Sequence, residues 1–110
     1  MNSSIEHFQL VYELAESCEM HDLIVYGHEY SYMGFGSWVI IIGNSKHRTK
    51  FCWDGKESNL GISMSKFQNS NSIPDWKPVF PSVGGTKKTE AEVFAFVIEV
   101  LEKQYKMKKL

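Results

Sequence analysis

Apolar residues recur at helical spacing near the start of the chain. Phe8, Val11, Tyr12, Ala15 and Cys18 form one stripe, and Glu6, Glu13 and Glu16 fall opposite it. This predicts an amphipathic helix over about residues 4–18, with Ser3 and Glu6 at capping-box spacing. The period then changes to two. Leu23-Ile24-Val25-Tyr26 reads as a strand, followed by a stretch holding Gly27, Gly34 and Gly36 among Tyr30, Tyr32, Met33 and Phe35. That stretch reads as a loop or as a distorted hairpin with bulges. Ser37 to Ile42 is apolar without alternation, which predicts a strand covered on both faces, the second by a loop or a partner. Over Lys46–Asp54, Thr49, Phe51 and Trp53 alternate with Arg48, Lys50 and Cys52, and Asp54-Gly55 suggests a two-residue turn. Leu60, Ile62 and Met64 alternate in a further strand.

Residues 66–87 break the pattern. They contain all three prolines and read as a loop of about twenty residues, pinned over the sheet by Ile73, Trp76, Val79 and Phe80. A second helix is predicted over about residues 90–106. Thr89 and Glu92 have capping-box spacing, and Ala91, Phe94, Val97, Ile98, Leu101 and Tyr105 form a core stripe widened by Val93, Phe96 and Val100. The expected architecture is one α+β domain over residues 1–110. It has an antiparallel sheet of about four strands flanked by an N-terminal and a C-terminal helix packed on one face, in the order α-β-β-β-β-α.

Composition narrows the function. The 110 residues are 43% apolar and 23% charged, the balance of a globular chain. The longest apolar runs, Trp38 to Ile42 and Val93 to Ile98, are far below the ~20 residues of a membrane span. The first residues lack the basic and apolar regions of a signal peptide, so a cytoplasmic protein without membrane contact is expected. Cys18 and Cys52 are too few for a disulfide framework and suit a reducing compartment. The net charge of −1 hides an asymmetry: residues 1–30 carry six acids and no Lys or Arg, whereas the remainder carries twelve bases against seven acids.

Little points to catalysis. His7, His21, His28 and His47 have no metal-ligand spacing, so no metal and no cofactor is expected. No nucleophile motif or phosphate loop is present. An active site, if there is one, would use His28 and Glu29 as an acid/base pair, with Phe35 in a small-molecule pocket under the aromatic loop. The order helix, strands, helix and the segment Gly85-Thr86-Lys87-Lys88-Thr89-Glu90-Ala91-Glu92 resemble the double-stranded RNA-binding domain. The resemblance implies phosphate contacts at Lys87 and Lys88. An acidic first helix and a balanced net charge depart from that family's basic footprint, so RNA binding is the alternative. The leading expectation is a non-catalytic protein-binding module for a basic partner, the plan of small bacterial immunity or antitoxin-type inhibitors. Glu6, Glu13, Glu16 and Glu19 would steer association, and Tyr30, Tyr32 and Trp76 would hold the complex. The surplus of apolar surface also suggests a homodimer.

Overall fold

The structure is a computed structural model that describes residues 4–66, 75–83 and 89–105. Helix α1 (Ser4–Met20) leads into five strands: β1 (Ile24–Ser31), β2 (Ser37–Gly43), β3 (His47–Asp54), β4 (Asn59–Lys66) and β5 (Lys77–Val83). Helix α2 (Glu90–Gln104) follows. The strands form one antiparallel meander in chain order, β1-β2-β3-β4-β5. Both helices cover the same face, so the α+β architecture expected from the pattern is present, with one strand more.

Strand alternation explains the core. Trp38, Ile40 and Ile42 of β2, Thr49 and Phe51 of β3, and Leu60 and Ile62 of β4 point to the helices and are buried. Against them pack Leu14 and Cys18 of α1 and Val93, Phe94, Val97, Val100 and Leu101 of α2. Thr49 is satisfied where it is buried: its hydroxyl donates to Gln104 Oε1 at 3.1 Å and meets the Tyr105 hydroxyl at 2.8 Å. Helix α2 starts at the expected capping box, with the Thr89 side chain accepting from the Glu92 amide and the Glu92 carboxylate accepting from the Thr89 amide. Ala91, expected in the core stripe of this helix, is exposed.

Three further expectations need correction. Phe8 and Tyr12 do not face the core; they are 52% and 67% exposed, and His7 and Leu14 are buried in their place. Phe51 and its neighbours accept the stripe His7, Val11, Leu14, Cys18 instead, which is also at helical spacing. Within the segment predicted as irregular lies β5. Pro78 and Pro81 are tolerated there because β5 is an edge strand, and the pairing with β4 shifts register twice. Residues 67–74, and with them Ile73, lie outside the described residues, as do Ser3, Lys87 and Lys88. The glycine- and aromatic-rich stretch takes the second of its two expected forms, a distorted hairpin: β1 runs on to Ser31 with a bulge between Val25 and Gly27, and a turn over residues 32–36 leads into β2. The β3–β4 connection is longer than two residues, because the Asp54 carboxylate accepts from the Lys56 and Glu57 amides and Ser58 turns left-handed at φ 51°.

Two of the turns are tied together at one end of the sheet. The Gly55 amide donates to Ser37 Oγ at 2.9 Å, and Ser37 Oγ donates to the Gly34 carbonyl at 2.7 Å. A Cβ on Gly55 would fall 1.9 Å from the Phe35 carbonyl oxygen, so this close approach requires glycine. It holds Phe35 at φ 62°, an uncommon conformation for a bulky residue.

Candidate functional site

His7 stands on the buried stripe of α1 and is fully buried. Its Nδ1 is hydrogen-bonded to Glu90 Oε1, and its Nε2 lies 2.9 Å from Nε2 of His28. Tyr30 lies nearly flat on the His7 ring, with centroids 4.0 Å apart and planes 19° apart. Phe8 and Phe94 meet the same ring edge-on at 5.5 and 5.9 Å, and Trp38 packs on Phe94 at 5.0 Å. Three elements converge here. Helix α1 supplies His7, the helix-facing side of β1 supplies His28 and Tyr30, and the first residue of α2 supplies Glu90, whose charge suits a helix N-terminus.

The chemistry of this chain is constrained. A contact between two Nε2 atoms holds one hydrogen, so whichever ring donates, the other must accept. A second proton on the pair breaks the bond and sets two cations side by side. Accordingly the His28 pKa is pushed below its ordinary value, first by burial and then by positive charge on His7. The Tyr30 hydroxyl is held protonated, its pKa raised by burial and by the charges of Glu90 and Tyr32. Glu90 thus orients His7, and His7 orients His28. Among the described residues no group of three His, Cys, Asp or Glu is placed to hold a metal ion.

Burying His7 turns the other side of α1 outward. Ile5, Phe8 and Tyr12 stand exposed at 69%, 52% and 67%, and Glu13, Glu16 and Glu19 are exposed on the same side. The Tyr12 hydroxyl donates to Glu16 at 3.4 Å. Phe8 touches Tyr30 edge-on at 5.6 Å, which carries the aromatic surface from α1 to β1 and on to exposed Tyr32. Met33, 91% exposed, and Phe35, 67% exposed, follow in the turn.

The face of the sheet opposite the helices carries no element of the described chain. There the Arg48 guanidinium lies 3.8 Å over the Tyr26 ring, and Lys50 Nζ lies 4.7 Å over Trp76. A shallow groove of about 870 Å³ sits at the other end of this face, lined by Glu29, Val39, Cys52, Asp54 and Asn59 among others.

The residues singled out from sequence therefore fall on different surfaces. Glu13, Glu16, Glu19, Tyr30 and Tyr32 gather on or beside the outer side of α1, with Glu6 half-buried on the same helix. Trp76 belongs to the open sheet face. His28 and Glu29 are not brought together: consecutive residues of β1 alternate, so His28 joins His7 under the helices and Glu29 lines the groove. Phe35 is displayed in the turn. Sequence reasoning missed His7 and Glu90 as a pair; they are 83 residues apart. A signal existed, since a polar residue at buried helical spacing with Val11, Leu14 and Cys18 needs a partner.

No family model, no curated protein and no solved structure matches this chain. The functional reading therefore rests on its own residues. No helix among the described residues is long and apolar enough to cross a membrane.

Proposed function

We propose that the chain is a protein-binding module that captures a basic partner through the outer side of α1 and the adjoining turn after β1. One observation carries this reading: Ile5, Phe8 and Tyr12 are displayed together on a helix side flanked by Glu13, Glu16 and Glu19. Apolar anchors bordered by charge of one sign suit helix-mediated recognition, with the carboxylates steering encounter and the rings excluding water. The strained Phe35 supports it, because conformations held at a cost cluster at binding surfaces. The finer assignment is an inhibitor of a basic toxin in a bacterial cytoplasm, the plan of small immunity proteins. The test uses two tagged baits in lysate with nuclease, the unaltered chain and its E13K/E16K variant. A basic protein retained by the first and lost by the second is expected. Equal recovery on both baits overturns the reading.

A second reading is favoured by the Glu90–His7–His28 chain. A carboxylate that orients a histidine against a second one is how a general base is set, and His28 is only half-buried. Its test is a thermal-shift screen against metabolites: a stabilising ligand whose effect disappears in H28N but survives in E13K/E16K supports a small-molecule site, and none across the panel counts against it.

A further inference from the structure

We infer that the open face of the sheet is a self-complementary surface that pairs with the same face of a second copy of this chain. The strand registers set the side chains of that face in rows across the sheet. Asp54 and Asn59 share one row, and Glu29, Val39, Cys52 and Gly61 share the next. Gly27, Ile41, Lys50, Ser63 and Pro78 form the third, and Gly43, Arg48 and Ser65 the fourth. The face is therefore acidic at one end, basic at the other and apolar at Val39 and Ile41 between them.

A two-fold axis lying between two such faces and running across the strands reverses the order of rows while keeping each strand over itself. It then sets Asp54 against Arg48 of the second copy, Cys52 against Lys50, and Val39 against Ile41. Each of these contacts occurs twice, as an isologous interface requires. An axis along the strands would instead oppose like charges, so the charge pattern selects one packing. Aligned sheets pack in this manner about 10 Å apart.

The size is sufficient but small. Five strands about 4.8 Å apart and about 26 Å long present roughly 600 Å² per copy, near the lower limit of about 1,200 Å² in total for a specific interface. Interfaces at this end of the size range are mostly weak and reversible, so association in the micromolar range is expected. The edges of the sheet do not offer a competing route: β1 is bulged at Tyr26, and β5 carries Pro78 and Pro81, devices that discourage strand-to-strand pairing. Sheet-to-sheet pairing also accounts for the uninterrupted apolar run of β2, whose Val39 and Ile41 are only half-buried in one copy. It leaves α1 outward on both copies, so it is independent of the partner proposed above.

Sedimentation equilibrium of the full chain over about 1–200 μM tests the inference, since a micromolar interface dissociates within that range. A reversible dimer is expected, weakened at least about tenfold by I41E, with the fold checked by circular dichroism. The variant K50C reads the packing itself. With a bis-maleimide long enough to bridge sheets about 10 Å apart, it should form a covalent dimer joined between residue 50 of one copy and Cys52 of the second, whereas E16C on α1 should not. A monomer throughout the range overturns the inference, as does a dimer indifferent to I41E or one in which K50C stays unlinked.

Discussion

Replacing His7 by leucine keeps most of the side-chain volume inside the cluster of Tyr30, Trp38 and Phe94 but removes both ring nitrogens. The loss is the charge-assisted bond to Glu90, worth about 1.5–3 kcal/mol, and the bond to His28, worth about 0.5–1.5 kcal/mol. Leucine regains about 1 kcal/mol through its apolar surface, leaving a net destabilisation of about 1–3.5 kcal/mol. At about 4 °C per kcal/mol for a chain of this size, the melting temperature falls by about 4–14 °C. The pair is isolated by a cycle of H7L, E90A and H7L/E90A, measured by urea unfolding at pH 8. If His7 and Glu90 act as one unit, the coupling is about 1.5–3 kcal/mol, because the double variant no longer strips a nearly buried carboxylate of its donor. Additive single effects, within about 0.5 kcal/mol, would refute the claim that Glu90 anchors α1 through His7.

Other expectations follow from the same geometry. Because burial and His7 lower the pKa of His28 from its ordinary 6.5, protonation favours the unfolded chain. Stability should thus be full above pH 6.5 and decline as the pH falls through the lower folded value, and H28N should flatten that limb in pH-dependent urea midpoints. F8S and Y12S should each change stability by less than about 1 kcal/mol, whereas L14A should cost about 3–4 kcal/mol in the same assay. Equal costs would return Phe8 and Tyr12 to the core. T89A should cost about 1 kcal/mol by removing the cap of α2, visible as a lower urea midpoint with an unchanged slope. Burial raises the Cys18 thiol to about 11, so iodoacetamide at pH 8 should leave it unmodified until denaturant is added.

What the sequence made legible follows from which forces act locally. Period-two alternation placed Thr49, Phe51 and Trp53 against Arg48, Lys50 and Cys52 correctly, since a strand gives each residue one of two faces. The capping box of α2 is equally local. The rotation of α1 is not. Two stripes overlap on that helix, and hydrophobicity favours the one holding Phe8 and Tyr12. The structure takes the one holding His7, because a carboxylate from α2 and a ring from β1 satisfy its nitrogens. That information sits at Glu90 and His28, beyond any local window. Strand β5 escaped for the opposite reason: proline weakens the local signal, yet an edge strand needs only one side of its hydrogen bonds. The same rotation of α1 that hides His7 creates the proposed recognition surface, so the site was obscured by the very step that formed it.

The most direct test of this account is the association rate between the chain and the basic protein that its unaltered form retains, measured by surface plasmon resonance at low and at physiological salt. E13K/E16K should slow association at least about tenfold at low salt, with the difference shrinking as salt is added. Y12S should act mainly by hastening dissociation. Association rates that are equal for the unaltered chain and E13K/E16K at both salt concentrations would contradict the account.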